Sequence, residues 1–412
     1  MRVEKILIAL VVVVLIVTGV IAVLKVTGGE GEPPAIVVPE AGELSLVVIG
    51  IQGLEASMVE RLTADGRLPN LARLIAGGAT GSYATLGRNV DTRIVWTSLV
   101  TGMLPENQGI GGKKLSRRGE MVNAPLVPRS RTVGTLWTFL TDAGEKSGVL
   151  GWPGTWPVEE IDGVMVGPYS TYILERKHGG AQTDAVHPPS WYERLDPIVL
   201  DPTDFTRRDL SRFVDLDSTM GLESLVGQNY VALATAYAAD RSVVDLANAV
   251  AVQGSVRNLF VCLAGTDVAS QRFWHYMETE AIEQLDVGES ERRLLRRQIE
   301  ALGETVERYY DHVDELVGEL ARLTGDAGTV AVITDHGYAG IPLNAAGKPL
   351  IGTNMHSEEG MWIVSGPRVK AGATARHGDL IDVAPTIMAA AGVEIPGELD
   401  GEAHMEVIAR QR

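Results

Sequence analysis

Leu46-Val-Val-Ile-Gly-Ile-Gln-Gly-Leu54 is the stretch that decides the fold. Residues 46–51 form an unbroken apolar run, as suits a strand buried on both faces, and Gln52-Gly53 supplies the turn that ends it. Behind it, residues 54–64 and 68–76 carry apolar side chains at helical spacing. The alternation recurs along the chain. Strand-like runs stand at 147–150, 259–263, 329–333 and 361–364, and helical patterns occupy 132–142, 224–250, 292–323 and 380–391. Short strands separated by helices predict an α/β domain with a mostly parallel central sheet flanked by helices on both faces.

The 412 residues are 45% hydrophobic, which is ample for a large core. Lys and Arg number 36 against 53 Asp and Glu, a formal charge of −17, and no basic patch offsets it. Such a surface repels polyphosphate, so nucleic acid is not an expected partner. The single cysteine, Cys262, excludes a disulfide framework or a Cys-rich zinc module. It sits mid-strand and reads as a small buried hydrophobe. Any metal must therefore be held by His and carboxylates.

Residues 6–24 run for 19 positions without a charge, long enough for a membrane-spanning helix. Arg2 and Lys5 precede the run and only Lys25 follows before Glu30 and Glu32. The positive-inside bias then puts the amino terminus in the cytoplasm and the rest of the chain outside. Residues 23–26 offer no small-x-small cleavage site, so the run reads as a retained single-pass anchor. The expected organisation is a cytoplasmic tip and transmembrane anchor over 1–25, a flexible linker over 26–43, and one α/β domain over 44–412. Within that domain, residues 167–221 lack periodicity and read as a cap insertion near the mouth of a site.

Ligands of open α/β sheets sit at the carboxyl ends of strands. There the sequence places Gln52-Gly53-Leu54-Glu55, then Gly265-Thr266-Asp267 with Gln271 and His275 on the helix that follows. Thr334-Asp335-His336-Gly337 comes next, and Met355-His356-Ser357 precedes the strand at 361. Alone, Asp267 reads as a helix cap, Asp335 as a turn former and His356 as a loop residue. Together they read as a metal constellation.

These segments resemble the type I phosphodiesterase/nucleotide pyrophosphatase branch of the alkaline phosphatase superfamily. The blocks VVIGIQGL, GRLPNLARLIAGG, WTSLVTG and PENQGI carry the likeness between Leu46 and Ile110. It returns in GVLGWPGTWP, VCLAGTDVASQRFW, VITDHGYAG, HSEEGMWIVSGP and DVAPTIMAAAGV. The resemblance implies an alkaline phosphatase-like fold, a small phosphoester or nucleotide-like substrate, and two divalent metals, commonly zinc. It makes Thr92 the nucleophile. One metal would be held by a first-strand carboxylate, Thr92, Asp335 and His336. The other would be held by Asp267, a histidine four residues later, and His356.

Three positions depart from that pattern. Gln52 replaces the first-strand aspartate, Gln271 replaces the helix histidine, and Gln108 stands where a third histidine is expected. A neutral carbonyl oxygen is a poor zinc ligand, so the centre is expected to be weakened. Glu55, Asp91 and His275 are the candidates to compensate, Asp91 first because it adjoins Thr92. Of Lys113 and Lys114, Lys113 is the candidate to hold an anionic substrate. Trp152, Trp156, Trp274 and Tyr276 read as packing aromatics, and residues 289–308 as a solvated face. The expected function is a membrane-anchored, outward-facing, metal-dependent phosphodiesterase with a slowed centre. The alternatives are an inactive pseudoenzyme kept as a binding or structural module, or a phosphotransferase passing the group from Thr92 to an alcohol.

Overall fold

The computed structural model describes residues 44–410 except 88–89, 112, 116–120, 124–125, 169–181, 196, 217–222, 280–287 and 341–355. The expected anchor over 1–25 and linker over 26–43 lie outside the described residues. Among the described residues no helix is long and apolar enough to cross a membrane.

Among the described residues, twelve strands follow one another: β1 (Leu46–Ile51), β2 (Ala79–Ala84), β3 (Lys113–Leu115), β4 (Met121–Asn123), β5 (Ser147–Leu150), β6 (Gly163–Val166), β7 (Val186–His187), β8 (Asn258–Leu263), β9 (Thr329–Ile333), β10 (Glu359–Ser365), β11 (Ala373–Thr374) and β12 (Gly378–Asp379). Strands β3 and β4 pair only with each other. The rest form one sheet in the order β11-β2-β10-β9-β1-β8-β5-β6-β7, with β12 beside β2.

The mostly parallel sheet holds at the centre and fails at the flanks. Strands β9, β1, β8, β5 and β6 are parallel neighbours. Strand β10 runs antiparallel to β9 and β2, and β7 antiparallel to β6, so the sheet is mixed. The reason lies in the connection: the described chain between β9 and β10 contains no crossover helix, and β10 returns directly beside β9. That reversal puts the start of β10 at the same edge as the ends of the parallel strands, and His356 with it.

Among the described residues, nine α-helices longer than five residues pack around the sheet: α1 (Ala56–Ala64), α2 (Pro69–Gly77), α3 (Thr92–Thr101), α4 (Leu136–Asp142), α5 (Glu223–Gln253), α6 (Gly265–Met277), α7 (Glu289–Leu302), α8 (Thr305–Ala321) and α9 (Val383–Ala391). Alternation along β1 divides the core. Val47, Ile49 and Ile51 pack with side chains of α1, α2, α5, α6 and α8. Leu46 and Val48 point the other way, toward Val95, Trp96 and Leu99 of α3, Trp137 of α4 and Ile387 of α9. Each such buried aliphatic side chain contributes about 1.5–3 kcal/mol. The single helix expected over 292–323 is two, because α7 ends at Gly303 and α8 starts afresh at Thr305.

The described parts of the expected cap do not line the site. Phe205 and Phe213 pack on Tyr230, Tyr237 and Tyr309 of α5 and α8, and Arg212 pairs with Glu315. The segment serves as flank packing there, since its aromatics cover the outer faces of two helices.

Gly50 continues the Leu46–Val48 face without a side chain. A Cβ at Gly50 would lie 2.7 Å from the Trp96 ring, which is fully buried. Gly50→Ala is therefore expected to cost about 1–3 kcal/mol through overpacking. Denaturant unfolding measures it; an unchanged midpoint contradicts the packing described.

Candidate active site

Thr92 opens α3, with Asp91 as its N-cap. The Asp91 carboxylate accepts from the Arg93 backbone N–H at 3.0 Å and from the Arg93 guanidinium at 2.8 Å twice. Those Arg93 contacts hold the Asp91 carboxyl below the usual range. Asp91 is thus engaged as a cap, not turned to a metal. Thr92 is solvent-exposed, and its hydroxyl donates to Asp335 Oδ2 at 3.1 Å.

Asp335 follows β9 and is only 2% exposed. Its Oδ2 also accepts from Trp96 Nε1 at 3.0 Å, one helical turn after Thr92. Its Oδ1 accepts from the Gly53 backbone N–H at 3.1 Å. Gly53 has φ +69°, and a Cβ there would press on Tyr338 and Asp267, so the turn after β1 requires glycine. Leu54 N donates to Thr334 Oγ1 at 3.1 Å, tying the same turn to the end of β9.

Asp267 lies in the first turn of α6, where helix N–H groups favour an anion. The start of that helix is held from below. The buried Asp240 of α5 accepts from Ala264 N at 2.9 Å, Gly265 N at 3.1 Å and the Tyr309 hydroxyl at 3.1 Å. Burial pushes the Asp240 carboxyl up to about 7 against those hydrogen bonds.

Asp267 Oδ1 accepts from the Tyr338 hydroxyl, and Oδ2 accepts from the Gln271 amide at 2.7 Å. Burial would raise the Asp267 carboxyl, but the bond with His356, the His336 charge and the Tyr338 hydroxyl outweigh it and hold it low. Burial, with the Asp267 charge, pushes Tyr338 up and keeps it a donor. Tyr338 also stacks on Trp274 at 5.2 Å between ring centroids.

The His336 and His356 rings stack at 3.6 Å and 16°. His336 Nδ1 lies 3.1 Å from the Gly337 carbonyl, which only accepts, so Nδ1 carries a proton and Nε2 is the ring atom left to meet an ion. Asp267 Oδ1 is 3.9 Å from His336 Nε2 and 3.5 Å from His356 Nε2. Asp267, His336 and His356 form a group able to hold a metal ion, each offering one donor atom within 4.8 Å of the others. A cavity of about 170 Å³ opens over Thr92, Val95, Asp335, His336, His356 and Ser357. A larger one, about 570 Å³, lies at the opposite sheet edge by Arg257, Thr324 and Arg368, and none of the site residues reaches it.

The five retained positions thus come together, and the candidates for compensation do not join them. Glu55 caps α1 through Ser57 and accepts from Tyr338 N at 2.8 Å. The Gln52 amide turns to Cys262 Sγ, 3.7 Å away, inside the core. Gln108 is fully buried and accepts from Ser98 Oγ at 3.3 Å. Lys113 belongs to β3, and its side chain lies outside the described residues. Trp96, Tyr338 and Asp240 were not read from sequence. Trp96 was legible as the residue one turn after Thr92; a mid-helix Asp240, 27 residues before Asp267, gave no signal.

The sequence model of the type I phosphodiesterase/nucleotide pyrophosphatase family matches residues 46–394. The chain belongs to that family. Among solved structures, murine ectonucleotide pyrophosphatase/phosphodiesterase 5 is similar at 10% identity and a TM-score of 0.49, covering 89% of this chain and 100% of its own. An inactive variant of that murine protein, in complex with AMP, gives the same figures. A 2,3-bisphosphoglycerate-independent phosphoglycerate mutase of Clostridium beijerinckii is 30% identical over 92 residues, 22% of this chain. Its counterpart from Clostridium perfringens is 32% identical over 94 residues. The match spans 17% of the length of each of these two curated relatives.

His275, the remaining candidate ligand, is buried on α6 beside Tyr276. Burial lowers it from 6.5 to about 4. The unfolded chain then takes up a proton below about pH 6.5 that the folded chain refuses until about 4. Its contribution is complete above pH 6.5 and is lost as the pH falls, by about 2–3 kcal/mol at pH 4.5. His275→Gln should show a smaller drop in urea midpoint between pH 7 and pH 4.5 than the native chain; equal drops contradict it.

Proposed function

We propose that this protein is a phosphoester hydrolase that acts through Thr92, with its metal held on Asp267, His336 and His356. The observation that carries the reading is the hydrogen bond from Thr92 Oγ1 to Asp335 Oδ2, 3.1 Å long, at the rim of the cavity that His336 and His356 also line. An alcohol needs a proton acceptor or a cation beside it to attack phosphorus near neutral pH, and Asp335 is placed to accept.

The donor set of Asp267, His336 and His356 fits a divalent ion: one carboxylate oxygen and two imidazole nitrogens. Bound there, the ion supplies Lewis-acid charge for the phosphoryl oxygens. In the chain's own part, Thr92 Oγ1 forms a bond to phosphorus as its proton passes to Asp335 Oδ2. The ester P–O bond breaks, and the leaving oxygen takes a proton from water. The hydroxide left by that water then splits the phosphothreonine, and the Thr92 oxygen takes its proton back from Asp335 as it leaves, restoring both groups. An acceptor alcohol in place of that water would make the same site a phosphotransferase.

Gln52 and Gln271 make slow turnover the expected behaviour. The uncharged run at 6–24 and the positive residues before it support an anchored domain facing outward. One observation favours a second reading, an inactive binding module: the Gln271 amide occupies Asp267 Oδ2, where a ligand would otherwise have access.

Hydrolysis of bis(4-nitrophenyl) phosphate by the full chain separates the two readings. Thr92→Ala should lower the rate at least about 100-fold with an unchanged melting temperature. A native rate no higher than that of Thr92→Ala rejects the hydrolase and leaves the binding module.

A further inference from the structure

The two carboxylates of the site are engaged by different kinds of group. An ionised carboxylate has about four acceptor positions. Asp335 has three filled: by Gly53 N–H on Oδ1, and by the Thr92 hydroxyl and Trp96 indole on Oδ2. None of these donors is idle surface. The Gly53 N–H is fixed by the turn, and the Trp96 ring lies wedged over Gly50 without space to withdraw. The first-strand side chain that would share an ion with Asp335 is Gln52, and its amide is turned to Cys262.

On the other side, Asp267 Oδ2 is taken by Gln271, while Oδ1 accepts from Tyr338 and faces both imidazoles, groups that can themselves turn to an ion. The separations of 3.5 and 3.9 Å from Oδ1 to the two Nε2 atoms approach those between donors around a four-coordinate ion with bonds of roughly 2.0–2.2 Å. His336 Nε2 stands between the carboxylates, 3.5 Å from Asp335 Oδ2, so it can serve one ion and not two.

We infer that this chain binds a single divalent ion on Asp267, His336 and His356, and that Asp335 is closed to metal and held as the hydrogen-bond partner of Thr92. The triad is a composite. By the family resemblance its members belong to two different ions, and here they converge on one. Three protein donors with the remaining position open to water or substrate is the arrangement of a single-ion catalytic site. The inference deepens the proposed function and rests on its reading of the cavity, yet ion count and turnover are measured separately.

The test is metal stoichiometry of the full-length protein in detergent, loaded with Mn²⁺ and freed of excess ion. Elemental analysis should give one equivalent per chain, and the electron paramagnetic resonance spectrum should be that of isolated Mn²⁺ without exchange coupling. His356→Ala and Asp267→Asn should each weaken binding by more than about 100-fold, beyond the effect of losing an outer-shell partner. Asp335→Asn should retain the one equivalent. Two equivalents, an exchange-coupled spectrum, no bound ion, or loss of the ion in Asp335→Asn with an unchanged melting temperature would each overturn the inference. The wild-type spectrum decides even where a variant does not fold. Two ions with Thr92-dependent hydrolysis would remove the single-ion site and leave the proposed function; one ion without hydrolysis would do the reverse.

Discussion

The Asp335 carboxylate is the constraint around which the site edge of the sheet is arranged. It is a buried charge, and it receives donors from the turn after β1 and from the first and second turns of α3. A hydrogen bond to a charged group contributes about 1.5–3 kcal/mol, and removing one leaves the others facing an under-satisfied anion. The arrangement depends on two glycines for different reasons. Gly50 leaves the volume that the Trp96 ring fills, and Gly53 adopts the left-handed turn that aims its N–H at Oδ1. Fixing one anion therefore fixes where β1 ends, how α3 starts, and where the Thr92 hydroxyl stands.

The second carboxylate is supported from the opposite face of the sheet. Asp267 rides on α6, whose start is bound by Asp240 of α5, a carboxylate that also accepts from the Tyr309 hydroxyl of α8. Tyr338 connects the two halves: its hydroxyl reaches Asp267, its ring lies on Trp274, and its backbone N–H meets Glu55 at the start of α1. Helices on both faces thus bring their first turns to one edge, and the antiparallel return of β10 delivers His356 to the same place. This convergence follows from a parallel centre with a reversed flank; a wholly parallel sheet would have put the start of that strand at the far edge.

Much of the fold was legible because buried parallel strands are written as apolar runs. Strands β1, β5 and β9 occupy the stretches read for them, and β8 and β10 differ by a few residues at their ends. Strand β2, ATGSYA, was not legible. Its Gly81 and Ser82 break the apolar pattern because the Trp362 ring of β10 fills the space above Gly81. The break between α7 and α8 was hidden by helix-forming residues on both sides of Gly303. In the site, Thr92, Asp267, Asp335, His336 and His356 were visible as residue types at strand ends. Of their supports only Trp96, one turn after Thr92, leaves a trace in the sequence; Tyr338 and Asp240 act through contacts distant along the chain that carry no motif.

Charge balance explains why the two glutamines belong together in the proposed site. Two dications about 4 Å apart repel by roughly 17 kcal/mol at an effective dielectric of 20, and only nearby anions offset that. With Gln52 in place of a carboxylate, Asp335 at the cavity and Asp267 beside His336 and His356 are the described anions of the site, and their two charges match one dication. A second ion would bring an excess of two positive charges before any substrate arrived. Gln271 acts in the same direction, since an amide N–H on Asp267 Oδ2 satisfies that oxygen without adding a cation ligand. The replacements therefore do not simply erode a two-ion centre at both ends. They remove the electrostatic demand for one ion while leaving intact the donor triad for the other and the hydroxyl–carboxylate pair at the start of α3.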